Sequence, residues 1–228
     1  MLYAATIFSS AFLLFLVQPI VSKHILPWFG GSAAVWATCL VFFQSVLLLG
    51  YAYSDRITRL PRPAMQVGLH GLLLAASLFA LPVIAGPGWK PDGSEDPGIY
   101  ILLLLAATVG LPYLALSATG PLIQSWAARA GEGPRVYRLF SLSNLASLLA
   151  LLAYPFAIEP WLPLHVQSSA WSIVYAGFGA LCLASGFMLL RRVRGQAAND
   201  DRGEAETWAD AVSAPPDWRQ LALWVGLS

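Results

Sequence analysis

The sequence predicts an all-α integral membrane protein: a polytopic helix bundle with six transmembrane helices. Three observations carry that reading. Apolar residues make up 57% of the 228 positions and charged residues only 11%, where soluble proteins carry about 25% charged residues. The mean hydropathy is +0.64. Six predominantly apolar stretches, at 2–21, 32–53, 65–85, 99–127, 139–158 and 168–190, approach or exceed the roughly 20 residues that a helix needs to cross a bilayer. With 13 Lys/Arg and 12 Asp/Glu, the chain has too few charges to disperse a soluble globule of its size. Its net charge of +1 gives it no electrostatic hold on nucleic acid. A soluble enzyme, a disordered chain and a nucleic-acid binder are therefore excluded.

The first stretch lacks a basic leader, and Gln18-Pro19-Ile20-Val21 is a poor cleavage site, so it is a retained span and not a signal peptide. The connection after it, from Lys23 and His24 through Pro27, Trp28 and Phe29 to Gly30 and Gly31, reads as a rigid corner at the outer surface. Lys23, with a stem that snorkels to headgroups, His24 as a proton-sensitive group and Trp28 are candidate outer-surface contacts. Span two ends in Asp55, Arg56, Arg59 and Arg62, span four in Arg129, Glu132, Arg135 and Arg138, and span six in Arg191, Arg192 and Arg194. Of basic residues the alternate connections carry only Lys23 and Lys90, and the second of them is acidic, with Asp92, Glu95 and Asp96. The positive-inside rule then places the N-terminus and the residues after 190 in the cytoplasm. Arg135 and Arg138 are candidate contacts for anionic headgroups. Trp28, Trp36, Trp89, Tyr100, Trp126, Tyr137, Trp161 and Trp171 fall near proposed span ends, where aromatic rings anchor at the interface. By domain, residues 1–194 form the six-span unit and 195–217 an acidic cytoplasmic linker. Residues 218–228 begin a further span or form an interfacial helix. Cys39 and Cys182 lie inside apolar runs and read as small buried hydrophobes.

This reading places no Asp, Glu, Lys, Arg or His in mid-span. It leaves Gln18, Gln44 and Asn144 as the polar exceptions. Their amides must face another helix or a wet cavity, because lipid satisfies none of them. Span five carries Ser141, Asn144 and Ser147 along one helical stripe. Its pairs Ser143/Ser147 and Ala146/Ala150, like Ala106/Gly110 in span four, have the small-xxx-small spacing of close helix contacts. Gln18, Gln44, Ser141, Asn144 and Ser147 are thus the candidates for a solute path or for polar contacts between helices. Pro19, Pro112 and Pro121 mark protein-facing or cavity-facing turns.

The sequence also aligns with itself at an offset of 102 positions, the distance from Gln18 to Gly120. Gln18-Pro19-Ile20 then falls on Gly120-Pro121-Leu122, Leu40 on Leu142, Ser45 on Ser147 and Leu49 on Leu151. A repeat of three spans, an odd number, enters the membrane from opposite sides, which is the inverted three-plus-three plan of a major facilitator half.

No G-x-G-x-x-G, P-loop, H-E-x-x-H, G-x-S-x-G or Cys/His cluster occurs, so no catalytic residue, cofactor site or metal site is expected. The strings FLLFLVQPIVSKHILPWFGGSAAVWATCLVFFQSVLLLGYAYS, LLLLAATVGLPYLALSATGPLIQSWAAR and YRLFSLSNLASLLALLAYPFAIEP resemble the membrane region of bacterial fused major facilitator/spermidine synthase proteins. The likeness runs over about the first 190 residues. In that family the spans precede an aminopropyltransferase-like domain, which is missing here, and the resemblance therefore implies a non-enzymatic module of the bacterial inner membrane. Three functions follow as expectations: a transporter-like half that moves or binds a small solute, an accessory subunit packed onto a larger membrane complex, or a membrane anchor for a soluble aminopropyltransferase-like enzyme. The expected partners are the lipid bilayer, other membrane subunits or a missing C-terminal half, and a small solute.

Overall fold

The computed structural model describes residues 1–92, 96–132 and 136–213, with side chains as far as residue 196. Among them are six helices: α1 (Leu2–Phe29), α2 (Ala33–Thr58), α3 (Pro63–Leu78), α4 (Pro97–Gly131), α5 (Val136–Ile158) and α6 (Leu164–Ser213). A single turn at Pro87–Trp89 is the 3₁₀ element. Five of the helices are long and apolar enough to cross a bilayer, and α3, at 16 residues, is the short one. At 1.5 Å per residue α3 covers only about 24 Å. Its end has a local cause, since Pro82 and Pro87 push the residues before them out of the helical region. The predicted third span therefore finishes as irregular chain. Val83 and Ala85 of that chain are buried against protein, while Phe79, Pro82 and Gly86 are exposed.

One other boundary corrects the sequence reading. Lys23, His24 and Trp28 are not in a surface corner, because α1 continues through Pro27 to Phe29. The reversal is made by Gly30, at φ 81°, a conformation that glycine adopts without strain. Ser32 then caps α2 by accepting from the Val35 amide. The polar stretch at 195–213, expected as a linker, continues α6 as helix. The chain divides into two units, Met1–Leu190 and Arg191–Ser228.

Within the first unit α1 and α4 are the most buried helices. They run antiparallel: Ser10 Oγ donates to the Leu116 carbonyl at 2.9 Å, and Gln18 Nε2 donates to the Tyr113 hydroxyl at 3.0 Å. Each has a parallel neighbour. α4 lies along α2, with Phe43 against Tyr113 and Gly50 against Ser117. α1 lies along α5, where Ala146 and Ala150 are fully buried. Of the small faces predicted from sequence, Ala146/Ala150 packs fully, Ser143 and Ser147 are half-buried, and Ala106 of the α4 pair is exposed, while Leu145, Leu148, Leu149, Leu151 and Leu152 of α5 remain exposed. The outer helices repeat the arrangement. α3 docks on α4 through His70 and Thr119, and α6 docks on α1 through Thr6 and Ser185, 2.8 Å apart.

Two predicted interfacial anchors are core residues instead. Trp126 is 1% exposed and Trp171 2%. Each ring sits against a neighbouring helix that offers its indole N–H an acceptor: Gln66 Oε1 at 3.1 Å for Trp126 and the Leu13 carbonyl at 3.0 Å for Trp171. Trp36, Tyr137 and Trp161 stay exposed. Gln66 also donates to the Thr58 and Leu60 carbonyls, so Trp126 completes a network joining α2, α3 and α4. Trp126→Phe should cost about 1 kcal/mol, the net worth of one hydrogen bond between membrane helices. The check is an earlier unfolding midpoint when SDS is titrated into mixed micelles.

Candidate functional site

A cavity of about 450 Å³ opens between α1, α2, α4 and α5. All four walls contribute polar side chains: Ser10 from α1, Tyr51 from α2, Ser117 and Gln124 from α4, and Ser143, Asn144 and Ser147 from α5. Three of the hydroxyls spend their only hydrogen on backbone. Ser10 donates to Leu116, Ser117 to Leu114 at 2.9 Å, and Ser147 to Ser143 at 3.0 Å, which leaves their oxygens as acceptors. Among the described residues nothing hydrogen-bonds the Asn144 or Gln124 amide, so both retain donors as well as acceptors.

Two prolines add to this. Pro19 lies inside α1 and Pro121 inside α4, and a helical proline withholds the amide that would bond the carbonyl four residues back. The affected carbonyls belong to Phe15 and Ser117, both of which line the cavity. The two helices continue through these prolines, which mark cavity walls and not turns. The site is an uncharged chamber of hydroxyls, carboxamides and carbonyls backed by Leu14, Leu47 and Phe140.

A second cavity, of about 250 Å³, lies toward the other end of the same helices. Its lining includes Gln18, Pro19 and Ser22 of α1, Trp36, Cys39 and Phe43 of α2, and Tyr154 of α5. Gln18 and Tyr113, hydrogen-bonded to each other, stand one helical turn beyond Leu14 and Ser117 of the first cavity.

The candidates named from sequence separate as follows. Asn144 and Ser147 enter the first cavity and Gln18 the second. Ser141 is exposed and donates to the Tyr137 carbonyl. Gln44 is exposed on α2 and lines neither cavity. Lys23 forms an ion pair with Glu159 that ties the ends of α1 and α5, and its side chain stays 44% exposed. His24 Nε2 bonds the Ala85 carbonyl at 3.1 Å and its ring meets Trp28 edge-on, so this pair fastens the irregular end of the third span. Arg138 is exposed, and Arg135 lies outside the described residues. Cys39 and Cys182 are buried free thiols.

Sequence reasoning missed Ser10, Tyr51, Ser117 and Gln124. Gln124 carried a signal, since it follows Pro121 at helical spacing as Ser22 follows Pro19. The statement that no histidine lies in mid-span is corrected as well. His70 is at the middle of α3 and 1% exposed.

These apolar spans and the polar cavity among them define a polytopic integral membrane helix bundle. The chain is similar to the achromobactin transport system permease protein CbrC of Dickeya dadantii, 27% identical over 188 residues that cover 72% of this chain and 52% of that protein. It therefore spans about half the length of the curated relative it matches. No family model and no solved structure matches the chain. The comparisons give no support to the fused major facilitator/spermidine synthase context.

Proposed function

We propose that this chain is a transporter-like module of the bacterial inner membrane, which passes a small, uncharged, hydrogen-bonding solute along the face shared by α1, α2, α4 and α5. The observation that carries the reading is the polar chamber. Its volume of about 450 Å³ falls within the 300–1,000 Å³ usual for small-molecule sites, and lipid has no use for its unpaired amides. Similarity to a transport permease points the same way.

The two cavities support an inverted repeat. At the 102-residue offset Gln18, Pro19 and Ser22 of the second cavity fall on Gly120, Pro121 and Gln124 of the first. Phe15 and Ser117, whose carbonyls lose their partners to proline, are also equivalent. Transporters built from inverted repeats hold substrate where the repeats meet and open alternately to the two sides. The basic residues near the ends of α2, α4 and α5 favour the first cavity as the cytoplasmic one. A polyamine would want carboxylates that this lining lacks, so the solute is better sought among neutral polar compounds. An accessory role beside other transport subunits is the second reading. It is favoured by Gln44, whose amide is exposed on α2 and needs a partner helix in lipid.

The test is uptake by vesicles containing the full chain, together with labelling of Ser147→Cys by a membrane-impermeant thiol reagent. Saturable uptake of a neutral solute, with labelling that the same solute slows, is the expected result. An introduced thiol that is inert from both sides, in vesicles that take up nothing, would overturn the reading.

A further inference from the structure

Away from the solute cavity, the junction of α2, α3, α4 and α6 encloses an ionisable side chain that packing does not explain. His70 is 1% exposed in a bundle that lies in lipid, and an intramembrane ionisable group is expensive unless it is used. Its hydrogen bonds favour one tautomer. Thr119 Oγ1 is 2.7 Å from the Ala115 carbonyl, which can only accept, and a hydroxyl that donates there accepts at its 3.2 Å contact with His70 Nε2. The neutral imidazole therefore carries its hydrogen on Nε2 and presents a bare lone pair at Nδ1. That Nδ1 is buried without a partner, and so is the hydroxyl of Tyr53, whose ring lies 6.0 Å from the imidazole, centroid to centroid. A lone acceptor and a lone donor thus sit on neighbouring rings between α2 and α3, where each unpaired group is costly.

We propose that His70 Nδ1 and the Tyr53 hydroxyl form a proton-binding site, bridged through one water. In the neutral state the Tyr53 O–H donates toward Nδ1. When hydronium delivers a proton, the N–H bond forms at Nδ1, water leaves, and the Tyr53 oxygen turns from donor to acceptor. The groups facing the imidazole are Tyr53 of α2, Thr119 and Trp126 of α4, and Cys182 of α6, which lies against Thr119. None of these is a carboxylate or a fixed cation. Thr119 directly precedes Gly120 and Pro121, and Tyr53 is two residues from Tyr51, so the site shares α2 and α4 with the first cavity.

The experiment is nitrogen NMR of the full chain in lipid nanodiscs, labelled at histidine, with His24→Gln and His165→Gln leaving His70 as the one signal. At neutral pH Nε2 should be protonated and Nδ1 bare. On acidification Nδ1 should take up a proton reversibly with the helical circular dichroism unchanged. Tyr53→Phe should lower the proton affinity about fivefold, the margin by which a hydrogen bond to the charged imidazolium exceeds one to the neutral ring. A bare Nδ1 down to the pH of unfolding, the opposite tautomer at neutral pH, or a titration that Tyr53→Phe does not move would each overturn the proposal. The titration is read without solute, so its failure leaves the transport reading standing.

Discussion

Replacing Gly50 with leucine should prevent α2 from seating on α4. A Cβ at Gly50 would stand 1.9 Å from Ser117 Oγ, 2.8 Å from Ser117 Cβ and 3.1 Å from the Ala118 backbone nitrogen. The hydroxyl can rotate away, but the Ser117 Cβ and the backbone nitrogen cannot move without moving α4. Overpacking of this kind costs about 1–3 kcal/mol, occasionally more, and leucine adds three further carbons to the clash. Gly50→Leu should therefore yield little folded protein in detergent, and Gly50→Ala a folded but less stable one. Adding Ser117→Gly to Gly50→Ala should recover most of the loss, because it removes the two nearest atoms. Unfolding midpoints in mixed micelles measure all three variants. A Gly50→Leu protein as stable as wild type would mean that α2 and α4 do not approach as described.

Asn144→Leu should reduce uptake by tenfold or more while leaving the unfolding midpoint unchanged. The amide lines the cavity and has no hydrogen-bond partner among the described residues, so its loss costs the fold nothing. A solute bound in that chamber would lose up to two hydrogen bonds, and each is worth about a factor of ten when 1.4 kcal/mol is lost. Gln44→Leu, on the exposed face of α2 and outside both cavities, should leave uptake near wild type. If Gln44→Leu blocks uptake and Asn144→Leu does not, the solute path has been placed on the wrong face of the bundle. Within the accessory reading, Gln44→Leu should weaken assembly with another membrane subunit, and co-purification reports that separately.

Much of the bundle was legible because the bilayer constrains it so strongly. Five of the six predicted spans recur as long helices with similar centres, and the small residues of α5 identified its packed stripe. What went astray has local causes. Pro82 and Pro87 shortened the third helix, although the apolar run continued to Ala85. Lys23 and His24 looked like surface groups by type, but α1 runs on past them, and Glu159 and the Ala85 carbonyl come from segments far along the chain. Trp126 and Trp171 resembled anchors because they lie near span ends; acceptors on other helices drew them inside. The repeat was visible as the Pro19/Pro121 correspondence, though only the cavities give those prolines a shared purpose.

By itself the sequence determined that the chain crosses lipid, where it does so, and which turns carry the positive charge. These follow from hydropathy and charge summed along a local stretch, and the bilayer responds to them segment by segment. The tertiary structure decided which polar groups are used. Asn144 and Gln44 are alike in sequence, each an amide in an apolar helix, yet only Asn144 turns into the chamber. His70 likewise became a buried, half-partnered base only when Thr119 and Tyr53 arrived from other helices. Whether a polar atom in a membrane is satisfied depends on its neighbours across the bundle, and a stretch of sequence does not contain them.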